Sequence, residues 1–589
     1  MSPPGRPKGE FRNAEHEGTP ATWRRLFPAS APALGAPLAA PPRTGWNPLT
    51  LAVLAGAWVA VLPNWPLWRA LFALPETASA RGALFVAGFA LMIAALSTAL
   101  LAPFAWRATV KPVIGVLLVV AALGAHFMDA YGVVIDSTMM INVLQTDPRE
   151  VRDLLSLRLL GSVLLLAGLP LLVLWRLPVR GNGWRRQAAV DALGFATCVV
   201  ALTLLVLALF AELSATMRNH RSMRYLINPA NSIYALVDLA LRAKAMPAGP
   251  PQTIGADARI APRAAGAKPP LLMLVVGETA RADHFALNGY ARATNPALAS
   301  QGVLSFRNVT ACGTNTAASL PCMFSHLGKA GFEARDREHE NLLDLVQRAG
   351  MAVLWVDNQA GCKGLCDRVP NAFARDAAPG TAAPPAALCP DGECLDEALL
   401  VGLDERIAAL PAEARARGVL VVLHQMGSHG PAYFKRSPAE RKPFQPECTT
   451  GVLQQCDRQA LLNAYDNSIA YTDHALAATL KWLAARRPEH AAALLYVSDH
   501  GESLGENNLY LHGLPFALAP REQTHVPMLL WLAAPAAAAG RAAQTCLAGR
   551  LDMPLTHDYL FHSVLGLLGV QASEYKPALD AFAPCRQGP

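Results

Sequence analysis

Five long apolar stretches lie within the first 213 residues of the chain. A helix needs about 20 residues to cross the hydrocarbon core of a bilayer, and these stretches are near that length. They run from Pro48 to Leu67, Gly82 to Phe104, Val113 to Met128, Leu154 to Leu174 and Ala188 to Leu213. The third is short and contains His126. We therefore predict a membrane domain of five spanning helices.

The apolar excess is confined to this half of the chain. The whole sequence is 52% hydrophobic and only 16% charged, which is typical of a membrane protein. The part after Pro247, however, has the composition of a water-soluble domain. A chain of 589 residues is also too long for one core. The first 45 residues are proline-rich and basic without an early apolar core, so we expect no cleavable signal peptide.

Basic residues indicate the orientation of the spans. They cluster in the N-terminal arm and in the loops after the second and fourth spans, which share one side of a five-span domain. Because basic loops stay in the cytoplasm, the C-terminal half is expected to be exported. Topology thus accounts for much of the net charge of +7, and without regular basic-aromatic interleaving we expect no nucleic-acid partner.

Ten of the eleven cysteines fall in the exported half, most of them in close pairs. The pairs are Cys312 with Cys322, Cys362 with Cys366, Cys389 with Cys394, and Cys448 with Cys456. Such a set predicts disulfides in an oxidising compartment. Zinc-binding cysteines would need CxxC spacing, which no pair has. Whether the remaining Cys546 and Cys585 pair is left open by the sequence.

Composition shifts divide the chain into four parts. We predict a cytoplasmic arm over residues 1–45, a membrane domain over 46–215, interfacial helices and a linker over 216–270, and an exported domain over 271–589. The stretch from Leu226 to Leu241 is suited to lying at the headgroup interface. The segment from Pro247 to Pro270 is rich in Ala, Pro and Gly, which argues for an extended connection rather than a packed element.

Short apolar runs in the exported half alternate with helical patterns, which indicates an α/β domain with a mostly parallel sheet flanked by helices. Ligand-binding residues of such sheets gather just beyond the carboxyl ends of the strands. Three runs end at Glu278, at His424, and at Asp499 with His500. Taken alone, each of these carboxylates has an ordinary explanation, because an Asp at a strand end often caps the next helix and a lone Glu is usually solvated. Carboxylates and imidazole converging at one edge indicate a metal site suited to zinc.

The segment from Cys312 to Cys322 holds three hydroxyl residues at an expected loop-to-helix junction. The free N–H groups of a helix N-terminus would favour a phosphate there. A threonine such as Thr316 becomes a good nucleophile when metal coordination lowers its pKa. A plain capping threonine is the alternative, and it would be favoured without the neighbouring metal candidates.

Two histidines and one group of three polar residues are weaker candidates. His429 and His512 lie beside glycines in expected loops and could bind phosphate, donate a proton or contact a second metal, although an isolated histidine more often makes a structural hydrogen bond. Asn142, Thr146 and Glu150 recur every four residues, so one helix would place them on one face unless Pro148 interrupts it. From spacing alone, a solvated helix face is favoured.

Four ordered motifs give the chain a specific resemblance. The segments Val276–Arg281, Cys312–Ser325, His424–Pro431 and Ser498–Asn507 resemble those of the phosphoethanolamine–lipid A transferases. That family includes the mobile colistin-resistance enzymes and belongs to the sulfatase-like branch of the alkaline phosphatase superfamily. The likeness runs from the first span to about Gly569 and excludes the arm before Trp46.

The resemblance implies roles for individual residues. Glu278, Thr316, Asp499 and His500 would hold Zn²⁺, with Thr316 as the nucleophile. Residues matching positions that contact the phosphoryl group or a second zinc are Lys363, His429 and His512, and His424 is expected on the substrate side of the same site. Asn142, Thr146 and Glu150 match a trio that helps to bind the donor lipid. Gln359 stands where some members have Asn.

The implied activity is transfer of phosphoethanolamine from phosphatidylethanolamine to lipid A or another envelope acceptor. Thr316 would become covalently modified, and the membrane domain would meet both lipids at the inner membrane, with the catalytic domain in the periplasm. Masking an anionic phosphate weakens the attraction of the envelope for polycationic peptides such as polymyxin. We expect a monomer. The acceptor and the number of zinc ions stay open.

Two alternatives remain at this point. A phosphoglycerol transferase on the same fold would also use a threonine, whereas a sulfatase-like hydrolase would need a modifiable Cys or Ser in place of Thr316. A transporter or envelope sensor would predict buried charges within the spans, which contain few, and would leave the clustered metal candidates unexplained.

Overall fold

The computed structural model describes residues 44–247, 249–533 and 538–586. The arm predicted over residues 1–45 therefore lies outside the described residues except for its last two positions. The described chain forms a helical N-terminal half and an α/β C-terminal half, which contact each other through the loops beside the α/β sheet.

The N-terminal half consists of helices. They are α1 Pro48–Val61, α2 Trp65–Phe72, α3 Ala80–Leu101, α4 Val110–Tyr131, α5 Ser137–Gln145, α6 Pro148–Leu154, α7 Leu157–Val163, α8 Leu169–Arg176, α9 Trp184–Ala208, α10 Phe210–Asn219 and α11 Ala230–Ala245. One π-helical turn, Leu164–Gly168, joins α7 to α8. Polar side chains begin several of these helices; for example, Asn47 accepts from Leu49 N at 3.0 Å and Ser79 from Gly82 N at 3.0 Å.

Length and composition allow five membrane crossings, as predicted. Four helical segments are long and apolar enough on their own: Ala80–Phe104, Val110–Tyr131, Leu157–Arg176 and Trp184–Ala208. Helices α1 and α2 pass the same test only as a pair, bent by 45°. The first span is therefore a broken helix rather than the continuous one that the apolar run suggested.

Two buried asparagines hold this break together. Asn64 donates to Val59 O at 2.8 Å and to Asn228 O at 2.6 Å, and its own carbonyl oxygen accepts from Asn228 N at 2.9 Å. Asn228 also donates to Pro63 O at 3.0 Å and to Ala121 O at 2.6 Å. The pair thus satisfies backbone groups freed where the first span bends, and it ties that span to α4 and to the turn before α11.

Of two predictions about the connecting segments, one met its stated exception and one was wrong in part. Pro148 does interrupt the helix that Asn142, Thr146 and Glu150 would have shared, because α5 ends at Gln145, Thr146 is extended (ψ 131°) and α6 begins at Pro148. Proline has no N–H to continue a helix and disfavours helical geometry in the residue before it. The linker is also partly packed, since Ile254 lies buried in the core of the C-terminal half and Arg259–Ile260 pairs with Val570–Gln571.

The C-terminal half is built on an eight-stranded sheet. The strands of this half are β1 Arg259–Ile260, β2 Pro270–Gly277, β3 Leu304–Thr310, β4 Ala352–Asp357, β5 Asn371–Phe373, β6 Val419–His424, β7 Ala491–Ser498, β8 Ser503–Leu504, β9 Tyr510–Leu511, β10 His525–Leu532, β11 Leu555–Thr556 and β12 Val570–Gln571. The main sheet has the order β11-β3-β10-β7-β2-β6-β4-β5. Within it β10 is antiparallel to both neighbours and the other described pairs are parallel, which confirms the predicted mostly parallel sheet.

Helices cover both faces of this sheet. They are α12 Pro296–Ala299, α13 Thr316–Met323, α14 Gly328–Glu333, α15 Leu342–Arg348, α16 Leu403–Ala408, α17 Ala412–Arg417, α18 Arg458–Ala484, α19 Arg521–Thr524, α20 Ala538–Ala548, α21 Asp558–Leu568 and α22 Ala583–Arg586. Alternate residues of β2 enter different cores: Leu272, Leu274 and Val276 face one, while Met273 and Val275 face the other. Burial on both faces explains why this strand reads as an unbroken apolar run.

All ten cysteines of this half form disulfides. The structure joins each of the four predicted pairs, which are Cys312 to Cys322, Cys362 to Cys366, Cys389 to Cys394, and Cys448 to Cys456. Cys546 is joined to Cys585, a pairing that the sequence left open. Cys198, in α9, is the free cysteine of the described chain.

The asparagine pair gives a stability prediction. Replacing Asn228 by Ala removes its two side-chain donors from Pro63 O and Ala121 O, so we expect the free energy of unfolding to fall by about 1–3 kcal/mol. Unfolding of the full chain in detergent, followed by circular dichroism against added denaturing surfactant, measures this change. Thr203→Val is the matched control because that exposed side chain bonds only within its own helix, to Val199 O. Equal losses in both variants would contradict the role of the pair.

Candidate active site

Three strand and helix ends bring a group of buried polar side chains together. Glu278 directly follows β2, Asp499 and His500 follow β7, and Thr316 is the first residue of α13. Strands β7, β2 and β6 are neighbours in register, with Gly277 opposite Ser498 and Val276 opposite His424. Their carboxyl ends therefore meet at one edge of the sheet, as the sequence predicted.

The distances within this group are short. Thr316 Oγ donates to Glu278 Oε2 at 3.0 Å and lies 3.5 Å from His500 Nε2. His500 Nε2 is 3.3 Å from Glu278 Oε1 and 3.4 Å from Asp499 Oδ2. The two carboxylates and the imidazole have no exposed surface, and Thr316 is 3% exposed. These four residues are called the Thr316 cluster below.

The local sequence explains how Thr316 is presented. Asn315 caps α13 by accepting from Ala318 N at 2.9 Å, and the Cys312–Cys322 disulfide joins the loop before the helix to its last turn. Ser319, one turn further along α13, donates to Asp499 O at 2.5 Å. The helix start is thus bonded to the loop that holds two other members of the cluster.

The cluster fits a metal ion. One ligand atom each from Glu278, Asp499 and His500 lies within 4.8 Å of the other two. Glu278 Oε1 and Asp499 Oδ2 are buried and have no hydrogen-bond partner among the described residues. His500 Nδ1 lies 2.9 Å from Gly501 O, which directs Nε2 into the cluster, as is usual for metal-binding histidines. Two carboxylates, one imidazole and a hydroxyl form a donor set suited to zinc.

A second geometric group does not form such a site. Cys362, Cys366 and Asp367 also lie within range of one another, but the two sulfur atoms are joined in a disulfide and no thiolate is available.

The two buried carboxylates attract positive charge to the cluster. Burial, and then the negative charge of Glu278, raises the pKa of Asp499 to about 6. Burial alone would lower the pKa of His500, but the charges of Asp499 and Glu278 raise it to about 10. The folded protein thus draws positive charge to this position, and a divalent ion meets that demand without a proton.

His424 lies at the same sheet edge. It is fully buried, and its Nδ1 is 2.9 Å from Asp357 Oδ2, which also accepts from Trp355 Nε1 at 2.9 Å. Sequence reasoning missed Asp357, although it ends β4 and the rule that selected Glu278 applies equally to it. His424 Nε2 has no hydrogen-bond partner within the described chain.

His429 and His512 lie beside the cluster. The ring of His512 is 4.4 Å from that of His500 and 5.6 Å from that of His429. His512 Nδ1 is 2.7 Å from Glu502 Oε2, and Glu502 also accepts from Tyr433 OH. Glu502 and Tyr433 were not found from the sequence. This bond fixes the imidazole so that Nε2 is left for a ligand.

A cavity of about 350 Å³ lies between the two halves of the chain. Its polar end is formed by Asn142, Thr146 and Glu150 together with His429 and His512, and the rest is mostly apolar. The predicted trio thus lines one cavity despite the helix break. Burial, and then the charge of Glu278, raises the pKa of Glu150 to about 7.

Of the two remaining candidate residues, one reaches the wall of this cavity and the other lies at the end of α5. Gln359 Nε2 lies 3.4 Å from Glu150 Oε1, so this residue, whose role the sequence left doubtful, reaches the cavity wall. Lys363 instead lies near the carbonyl oxygens of Ala360, at 3.4 Å, and Gln145, at 3.5 Å. Its ammonium group therefore sits at the end of α5, and none of its described hydrogen bonds reaches the Thr316 cluster.

Comparison with known proteins follows the same division of the chain. Residues 270–570 match the Sulfatase family, and residues 93–243 match the family described as phosphoethanolamine transferase EptA/EptB. The phosphoethanolamine transferase EptA of Salmonella typhimurium is 38% identical over 80% of this chain and 85% of its own length. The phosphatidylethanolamine transferase Mcr-1 of Escherichia coli is 40% identical over 83% of this chain and 90% of its own.

A solved structure extends the likeness to the whole fold. The integral membrane lipooligosaccharide phosphoethanolamine transferase A of Neisseria meningitidis superposes with a TM-score of 0.85 at 31% identity, covering 93% of this chain and 100% of that one. Both halves and their arrangement are therefore shared. The chain belongs to the phosphoethanolamine transferases, as an integral membrane enzyme with a periplasmic, sulfatase-like catalytic domain.

Proposed function

We propose that this enzyme transfers phosphoethanolamine from phosphatidylethanolamine to lipid A through a covalent intermediate on Thr316. The observation that supports this most is the position of the Thr316 hydroxyl. It is buried among Glu278, Asp499 and His500, directly beside the histidines that end the cavity between the halves. The names of the relatives, phosphatidylethanolamine transferase and lipooligosaccharide phosphoethanolamine transferase, agree with this donor and class of acceptor.

Zn²⁺ is the ion that we propose for the cluster, held by Glu278, Asp499, His500 and the hydroxyl of Thr316. When bound, it would supply Lewis acidity that lowers the pKa of that hydroxyl and neutralises charge on the phosphoryl oxygens. The buried, adjacent rings of His429 and His512 are suited to contacting a phosphoryl oxygen.

In the first step, Thr316 Oγ forms a bond to the phosphorus of the donor. Glu278 Oε2, already 3.0 Å from that oxygen, accepts the hydroxyl proton. The bond between phosphorus and the diacylglycerol oxygen breaks, and the leaving oxygen takes a proton from His512, which Glu502 holds in place at 2.7 Å. Diacylglycerol departs, and phosphoethanolamine remains on Thr316.

In the second step, a phosphate oxygen of lipid A attacks the same phosphorus. The bond to Thr316 Oγ breaks, Glu278 returns the proton to that oxygen, and His512 takes up the proton of the acceptor phosphate, so that both groups return to their starting state. The acceptor phosphate gains an amine-bearing group, which offsets part of the negative charge of the envelope surface and weakens its attraction for polycationic peptides.

The cavity supports a lipid donor. Its apolar walls come from α4, α5, α6 and α7 and from the segments between them, and its polar end holds Glu150. We propose that Asn142, Thr146 and Glu150 bind the donor headgroup while the acyl chains stay among the membrane helices. Lys363 and His424 remain proposals for contacts to the transferred group.

Replacing Thr316 tests the covalent step. Thr316→Ala removes the only proposed nucleophile, so we expect no phosphoethanolamine adduct on the peptide that contains residue 316 and no modified lipid A in cells. Mass spectrometry of the digested protein and of extracted lipid A measures both. Thr316→Ser keeps a hydroxyl and is expected to retain the adduct at a reduced rate. Transfer by the alanine variant at the wild-type rate would end the nucleophile proposal.

Metal removal tests the cluster separately. A zinc chelator should abolish transfer and lower the heat-unfolding midpoint of the detergent-solubilised enzyme, and added zinc should restore both, because a ligand bound only by the folded state stabilises it. Glu278→Gln should lower the zinc content measured by elemental mass spectrometry. Glu340→Gln, which alters a carboxylate paired with Arg348 away from the cluster, is the control and should keep its zinc. Equal zinc contents in the two variants would contradict the ligand assignment.

A further inference from the structure

A second group of charges joins the two halves of the chain away from Thr316. Asp153, on α6, lies 3.3 Å from Arg436 Nη2 and also accepts from Lys435 Nζ. Glu393, in the loop closed by the Cys389–Cys394 disulfide, lies 2.9 Å from Arg436 Nη1 and 3.7 Å from Lys435 Nζ. These four residues, here named the interdomain ion network, join a helix of the N-terminal half to two loops of the catalytic half.

Two members of the network are buried. The side chains of Arg436 and Asp153 are only 4% and 5% exposed, whereas Lys435 is 36% exposed. A buried charge is costly unless its partner is in place, and both partners of Asp153, Lys435 and Arg436, belong to the other half of the chain. Arg436 also has Glu393 within its own half, so Asp153 is the charge that favours this arrangement of the halves.

The network is bonded directly to the walls of the donor cavity. Arg436 Nε donates to His429 O at 2.8 Å, and Asp153 lies one helical turn after Glu150 on α6. Across the cavity, Glu150 Oε1 is 3.9 Å from His429 Nε2 and 3.4 Å from Gln359 Nε2. One guanidinium thus holds the backbone of His429 and, through Asp153, the helix that presents Glu150.

We propose that Arg436 and Asp153 are positioning residues for the transfer reaction. They set the distance between Glu150 and His429, and hence join the donor cavity to the Thr316 cluster, without contacting the substrate themselves. This role rests on the proposed function of the cavity as the donor site. Arginine is required because its planar fork donates to Asp153, Glu393 and a carbonyl at once, which a lysine ammonium on a flexible stem cannot match.

Kinetics of the full-length enzyme with phosphatidylethanolamine in mixed micelles test this role. Asp153→Asn and Arg436→Lys should each raise KM for the donor by more than about tenfold, with a smaller change in kcat, because breaking a buried charge pair weakens the cavity wall. The double variant should raise KM by less than the product of the two single effects, since both variants remove the contact between Asp153 and Arg436. Asp153→Glu, which keeps the charge, should recover most of the affinity.

Arg368→Met is the matched control. Arg368 makes a comparable forked pair with Asp344, at 2.7 Å and 2.7 Å, within the catalytic half. Its loss should leave KM for the donor within about twofold of the wild-type value. Unchanged KM in Asp153→Asn, or fully additive effects in the double variant, would overturn the positioning role.

Hydrogen exchange of the full chain separates this proposal from the proposed function. Asp153→Asn should speed amide exchange in both segments 148–154 and 429–436, while exchange around residues 316–323 stays at the wild-type rate. Slow exchange in both segments of the variant would overturn the docking role whatever the activity. Failure of the wild-type enzyme to form the Thr316 adduct would overturn the proposed function. The exchange rates would then still decide whether the charge pair holds the two halves together.

Discussion

The concentration of buried negative charge around one hydroxyl is the constraint on which the structure depends. Glu278 and Asp499 are fully buried within reach of each other, so positive charge beside them lowers the cost of burying both. The parallel sheet makes this arrangement possible, because neighbouring strands β2 and β7 deliver both carboxylates to one edge. Thr316 then meets them from the start of α13, so the buried carboxylates also surround the hydroxyl that we propose as the nucleophile.

The membrane half gives this cluster its substrate class. A hydroxyl among metal-binding residues would suit many phosphate and sulfate esters, and the sulfatase-like fold alone does not choose among them. The cavity between the halves supports a lipid donor, because apolar residues of the N-terminal half form most of its wall while Glu150 and His429 meet at its polar end. In our proposal, selection of a lipid donor depends on how the halves dock, so the charge pair between Asp153 and Arg436 would act on chemistry that it does not touch.

Much of this was predictable from the sequence, for physical reasons that also explain the misses. Strands buried on both faces read as unbroken apolar runs, so the polar residues that end them, Glu278, His424 and Asp499, could be found. Five apolar stretches of sufficient length likewise predicted the spans. The interruption between α5 and α6 by a proline could be predicted. That tertiary packing would still place the trio along one cavity could not. Partners such as Glu502 for His512, or Arg436 for Asp153, depend on loops meeting across the fold, which no local pattern reports.

X-ray diffraction from crystals of the full-length enzyme, recorded on both sides of the zinc absorption edge, would locate the proposed ion. We expect an anomalous peak enclosed by the carboxylates of Glu278 and Asp499, the Nε2 of His500 and the hydroxyl of Thr316. A zinc-replete crystal whose anomalous peaks all lie elsewhere, with the Thr316 hydroxyl bound only to protein, would contradict the proposed site.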